Sequence, residues 1–267
     1  MDLQLNGRRA LVTGGSRGIG KAIARALARE GVDVALLARG EAALRAAAEE
    51  LAADTGRRVV PVVADTTDGD AVQAAAARAA QALGGPIHLL VNAAAEPAGG
   101  NAPPTLAEIT AGHFHGEMDT KVMGYIRTAQ ALVPGMKAEG FGRIVNISGM
   151  AARTTGNAVG SIRNVSVVAL TKNLAEELGP HGIHVHVVHP GMTNTERMPG
   201  LIERRAAARG VAPDVIGAEL ANANTIRHLV DAVEVADVVA FLCSPRSRAL
   251  NGDVIAANGG SRGSIHY

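Results

Sequence analysis

The feature that most restricts this sequence is an alternation of short β-branched runs with longer alanine-rich stretches. "RALVTG", "DVALLA", "RVVPVVA", "IHLLVNA", "GRIVNIS", "IHVHVVHP" and "GDVIAANG" are strand-like, and the segments between them are long enough for helices. Strands of this kind joined by helical crossovers predict a parallel sheet covered on both faces. With right-handed crossovers the expected fold is α/β: a Rossmann-type, doubly wound sheet of seven parallel strands in a single domain spanning residues 1–267. No linker-like segment and no solenoid-period repeat divides it.

Composition narrows the partners. An apolar content of 47% excludes a disordered chain, and a net charge of +1 gives no field that would attract nucleic acid or an anionic membrane. No apolar run reaches the roughly 18 residues of a membrane span, and "MDLQLNGRRALVTGG" lacks the layout of a signal peptide. The single cysteine, Cys243, lies in the apolar stretch "VVAFLCSP" and reads as a buried thiol in a reducing cytoplasm. A soluble, cytoplasmic protein acting on a small molecule is expected.

In "ALVTGGSRGIGKAIARALAREG", Gly14, Gly18 and Gly20 come directly after a strand and open a helix, with Ser16, Arg17 and Ile19 between them. Glycines there let the backbone turn tightly against a pyrophosphate, whose charge the free N–H groups of a helix N-terminus favour. After the second strand, Ala38 stands where an acidic residue would bind an NAD ribose, and Arg39 follows it. A carboxylate would repel a 2′-phosphate, whereas Arg39, helped by Arg17, pairs with one, so the expected cofactor is NADP(H). Solvated loop charges are the alternative for both arginines.

"TGGSRGIG" resembles the glycine signature of the short-chain dehydrogenase/reductase family, and further markers follow in order. "ADTTD" carries Asp65, "LLVNAAA" is similar to the family's Asn-Asn-Ala-Gly motif, "GRIVNISG" carries Ser148, and "HPGMTNT" is similar to its Pro-Gly-x-x-x-Thr motif. The resemblance runs from about Leu5 to Gly260 and implies an oxidoreductase on a carbonyl/alcohol pair, usually a homo-oligomer, dimer or tetramer. By it Asp65, Asn92, Pro190, Gly191, Thr193 and Thr195 are cofactor contacts, Asp65 at the adenine. Ala93 and Ala95 replace an asparagine and a glycine beside Asn92, which leaves contact there to the backbone.

The family's reaction uses a tyrosine as proton donor and, one helical turn on, a lysine that lowers the phenol's pKa and binds the ribose. A serine polarises the carbonyl, and an asparagine on the preceding helix holds a water. In "AVGSIRNVSVVALTKNLAEEL" the tyrosine and lysine positions fall on Gly160 and Asn164, or on Ser161 and Val165 in a shifted register. Neither offers a phenol or an ammonium. "GEMDTKVMGYI" puts Lys121 where the relay asparagine would be, so lysine and asparagine look exchanged between two helices. The candidate catalytic set is therefore Ser148, Lys121 and Asn164, the alternative for Lys121 being packing or an interface.

Other groups compete with this set. Tyr125, one turn after Lys121, and Tyr267, the last residue, are the two tyrosines and so the phenolic proton donors available. Ser161 offers a second hydroxyl, His189 a substrate-side acid, and Arg153 and Arg163 a site for an acidic substrate or merely solvated charge. His184 and His186 share a strand face that His189 does not, so no metal is expected. Residues 194–230, punctuated by Pro and Gly, read as a substrate lid or a plain surface hairpin. Two other function classes remain open: an NADP(H)-binding sensor without turnover, and a lyase or isomerase using the same pocket.

Overall fold

In the computed structural model, which describes residues 1–95 and 102–263, seven strands form one parallel sheet. They are β1 (Arg9–Thr13), β2 (Asp33–Ala38), β3 (Val59–Val63), β4 (Leu89–Asn92), β5 (Gly142–Ile147), β6 (Ile183–Pro190) and β7 (Val254–Ala257), in spatial order 3-2-1-4-5-6-7. The order reverses between β1 and β4, which opens a crevice at the carboxyl ends of those strands.

Alternate residues of each strand feed two cores. Ala10, Val12, Leu36, Leu89, Val91 and Val145 meet α1 (Gly18–Arg29), α2 (Glu41–Thr55) and α9 (Ala232–Cys243). Leu11, Ala35, Leu37, Leu90, Ile144 and Val185 meet α3 (Gly69–Leu83), α5 (Gly124–Glu139) and α6 (Ala158–Leu178). This is the three-layer arrangement that the continuous apolar runs predict. A short α4 (Ala111–Met118) runs through a π-helical turn, Asp119–Met123, into α5, and α7 (Met198–Arg209) and α8 (Pro213–Asn222) occupy the segment expected to be a lid. Among the described residues no helix is long and apolar enough to cross a membrane.

Helix starts follow local chemistry. Asp68 accepts from Ala71 N–H, Thr110 from His113 N–H, and Asp231 with Glu234 forms a capping box on α9. α6 departs from a simple amphipathic pattern: its buried stripe includes Gly160, Asn164 and Thr171, while Ile162 and Val165 are exposed. What that face selects is small size and hydrogen bonding rather than hydrophobicity alone.

The polar members of the stripe belong to a buried ladder. Thr128 Oγ1 donates to Asn92 Oδ1 (2.7 Å), Asn92 Nδ2 to Asn146 Oδ1 (3.0 Å), and Asn146 Nδ2 to Thr171 Oγ1 (3.0 Å). It crosses from α5 through β4 and β5 to α6. Asn146→Ala leaves partners on both sides unsatisfied, so urea unfolding should show a loss of about 2–3 kcal/mol. Asn173→Ala, which removes an exposed bond to the Ala169 carbonyl, should change stability by less than about 0.5 kcal/mol.

Candidate functional site

Thr13, Asn92, Ser148 and Pro190 stand at the carboxyl ends of β1, β4, β5 and β6, along one edge of the sheet. The loop after β1 approaches the loop after β4 so closely that a Cβ on Gly14, whose φ is +66°, would lie 2.8 Å from the Ala93 carbonyl oxygen. Thr13 Oγ1 accepts from both Ala93 N–H and Ala94 N–H at 3.0 Å, which fixes that second loop. Gly20 packs against the Gly14 carbonyl, leaving no room for a side chain.

At the start of α1 no side chain caps the helix from Arg17, which is exposed; Ser16 and Ile19 are part-exposed in the same loop. The Gly18 N–H instead donates to Glu196 Oε1 at 2.9 Å. A carboxylate thus already stands on one amide where a helix N-terminus favours an anion, and the residues present fit a pyrophosphate there. Thr195 lies beside Gly18, and the buried Thr193 hydroxyl donates to the Gly191 carbonyl (3.0 Å) just beyond Pro190.

Arg39 follows β2 and faces Asp65, with 3.9 Å between guanidinium and carboxylate. Burial pushes the Asp65 carboxyl up, but the Thr67 N–H, Arg39 and Arg127 outweigh it and hold the group below its ordinary range. The Asn92 side chain is committed to the interior ladder, so this residue has its backbone to offer a ligand.

The structure brings Lys121, Ser148 and Asn164 together. Lys121 lies in the π-helical turn, is 3% exposed, and donates from Nζ to the Ser148 carbonyl (3.0 Å) and to Asn164 Oδ1 (3.1 Å). Ser148 Oγ donates to the Asn164 carbonyl (3.1 Å). Burial, followed by repulsion from Arg163, pushes the Lys121 amine down to about 7, against an opposing pull from Glu117. Gly160 sits where Asn157 caps α6: its N–H donates to Asn157 Oδ1 (2.8 Å), and a Cβ at 160 would meet the Asn157 side-chain nitrogen at 2.6 Å.

Most of the alternative groups have partners elsewhere. Tyr125 is buried and donates its hydroxyl to the Ile147 carbonyl (2.9 Å), and burial pushes its phenol far up, as befits a packed core group. Tyr267 lies outside the described residues. Ser161 Oγ donates to the Thr154 carbonyl (3.1 Å), committed to that loop rather than to Ser148. His189 is buried and accepts from the Gly149 N–H through Nδ1 (3.2 Å), supporting the loop after β5 instead of facing a substrate. Arg163 is neither solvated nor open to an acidic substrate, because Glu117 pairs with it; Arg153 is part-exposed.

Burial pushes His186 down to about 4 and Cys243 up to about 12, as befits core groups. His228, Asp231 and Glu234 do bring ligand atoms within 4.8 Å of one another, a grouping the sequence does not announce. Its carboxylates serve the α9 capping box, and Asn194 Nδ2 donates to Asp231 (2.7 Å). Asn146 in β5 and Thr171 in α6 show in the sequence as polar residues within otherwise apolar positions, whereas Thr13, Thr128, Glu117 and Glu196 carry no local sign of their partners.

Comparison with known proteins follows the same outline. The family model described as "Enoyl-(Acyl carrier protein) reductase" matches residues 14–262. The chain is 35% identical to the oxidoreductase UcpA of Salmonella typhimurium, over 97% of this chain and 95% of that protein. It is 32% identical to the short-chain reductase protein NovJ of Streptomyces niveus, over 94% and 92%. L-sorbose reductase from Gluconobacter frateurii, solved with NADPH and L-sorbose, superposes with a TM-score of 0.92 at 28% identity, covering 99% of this chain and 100% of that one.

A buried lysine neutral above about pH 7 but protonated in the unfolded chain until about pH 10 binds fewer protons when folded across that window. Stability therefore rises with pH there, and the cost of burying the charge is felt in full below pH 7. Lys121→Met should be relatively more stabilising at pH 6 than at pH 9, by about 2–3 kcal/mol in urea unfolding.

Proposed function

The chain belongs to the short-chain dehydrogenase/reductase family, and on that premise we propose that it is an NADP(H)-dependent oxidoreductase acting on a small-molecule carbonyl/alcohol pair, with Lys121, Ser148 and Asn164 at its reacting end. What carries the reading is the Lys121 nitrogen, within hydrogen-bond distance of both Asn164 and the residue after β5. A positive charge reaches the active-site helix from the opposite side, through a lysine and an asparagine that have traded helices.

A bound nicotinamide supplies the two-electron exchange, and the chain supplies position and charge. Gly14, Ser16, Arg17, Gly18, Ile19 and Gly20 would hold the pyrophosphate, and Arg39 with Arg17 the 2′-phosphate. Asp65, Asn92, Pro190, Gly191, Thr193 and Thr195 would line the adenine and nicotinamide ends. Ser148, 8% exposed, turns its hydroxyl from the Asn164 carbonyl to a substrate oxygen, and the Lys121 ammonium stabilises negative charge developing there. Without a phenol as acid, turnover is slower by something like the 10²- to 10⁴-fold that acid catalysis contributes.

The L-sorbose reductase neighbour supports a small polar carbonyl compound as substrate. Residues 194–230 act as its lid, built from α7 and α8. The exposed Ile162 and Val165 of α6 support a homo-oligomer. One observation favours a second reading, an NADP(H) binder without turnover: Ser148, Lys121 and Tyr125 all direct their protons into the interior.

Titration with NADPH and NADH, followed by a panel of ketones, aldehydes and alcohols, separates the two. Tight NADPH binding with no change in nicotinamide absorbance on any substrate would falsify the redox reading. Arg39→Asp should shift preference toward NADH; an unchanged ratio refutes the role of Arg39. Lys121→Asn should weaken NADPH binding and any activity by about tenfold or more, and Lys121→Asn with Asn164→Lys should recover part of both. If the single variant is indistinguishable from wild type, Lys121 has no part in the site.

A further inference from the structure

Two charged residues beside the Lys121 cluster are paired with each other. Glu117 lies in α4, one turn before Lys121, and Arg163 lies in α6 immediately before Asn164, whose Oδ1 accepts from the Lys121 nitrogen. Their side chains, 19% and 12% exposed, form an ion pair across the α4–α6 junction. The Arg163 Nε has no hydrogen-bond partner among the described residues, and the guanidinium bonds Glu117 through Nη1.

We propose that Glu117 and Arg163 are positioning residues whose opposed charges each bias the charge state of the Lys121 amine, a proposal that rests on Lys121 as the cation of the reacting end. Glu117 stands one turn before Lys121, and Arg163 adjoins Asn164 on α6, the residue whose Oδ1 the amine bonds. β5 presents the neutral Ser148 carbonyl, and Asp119 in the same turn is taken up by Arg127 at 2.8 Å. Burial favours the neutral amine, Arg163 adds to that, and Glu117 opposes it. The two charges thus act on the amine in opposite senses, and each is held in place by the other.

The two members act in opposite directions. Loss of the Glu117 carboxylate leaves the Arg163 charge unbalanced beside the amine and disfavours the ammonium. Loss of the guanidinium leaves a carboxylate unpaired and favours the ammonium. A pair that merely pinned α4 to α6 would loosen the same junction whichever partner was removed, so both variants would shift the amine the same way.

The chain contains four lysines, Lys21, Lys121, Lys137 and Lys172, so ¹³C labelling at the lysine ε-carbon gives four resonances, and Lys121→Met assigns one of them. Titrated in the full chain from about pH 5 to pH 10, the Lys121 signal should show a midpoint near 7. Glu117→Gln should lower it by about one pH unit or more, and Arg163→Gln should raise it by a similar amount. The double variant should return it to within about half a unit of wild type, and Glu117→Asp should rescue the single. Midpoints that do not move, or that move the same way in both single variants, overturn the proposal; if one single variant fails to fold, the sign of the other together with the double decides. Turnover is not read, so an enzyme inert on every substrate leaves this result standing, and an active enzyme with unmoved midpoints refutes this proposal alone.

Discussion

One ammonium group ties three elements together at the reacting edge. Lys121 Nζ reaches from the turn between α4 and α5 to the carbonyl that ends the β5 loop and to a side chain of α6. Burying that group in a site 3% exposed carries a desolvation cost, which two acceptors and a nearby carboxylate only partly offset. Groups that cost this much to bury are more common at sites of chemistry than in cores whose sole task is to pack. The π-helical turn carries Lys121 at the point where the helix register widens, and such bulges are frequent at functional sites.

Behind that edge the sheet supplies rigidity. The ladder from Thr128 through Asn92 and Asn146 to Thr171 spans four elements, so the ends of β4 and β5 are held to the helices by polar bonds as well as by packing. Thr13 does the same for the loop after β4, accepting two successive amides. The consequence for a ligand is geometric: the glycine loop, the Asn92 loop and the Ser148 loop are all referenced to one frame and do not drift independently.

Much of this was legible in the sequence because it is periodic or local. Seven apolar runs predict seven parallel strands, and the glycine spacing between β1 and α1 predicts a tight turn, which the structure shows to be closed to side chains at Gly14 and Gly20. The meeting of Lys121 with Asn164 followed from motif positions on two helices. What escaped depended on which atoms a side chain finds. Tyr125 shares the sequence neighbourhood of Lys121 but turns its hydroxyl to the Ile147 carbonyl, and Ser161 turns toward Thr154. Arg163 looked like a free cation because Glu117, 46 positions earlier, gives no local sign of being its partner.

The Asn157 cap has a consequence for how this helix can change. Asn157 closes the first turn of α6 through the Gly160 amide and occupies the space a side chain at 160 would enter. Any bulky residue arriving there, a phenol included, must first displace the cap, a loss on the order of 1 kcal/mol. Positions 157 and 160 are thereby interdependent: a side-chain acid at 160 comes at the expense of the Asn157 cap.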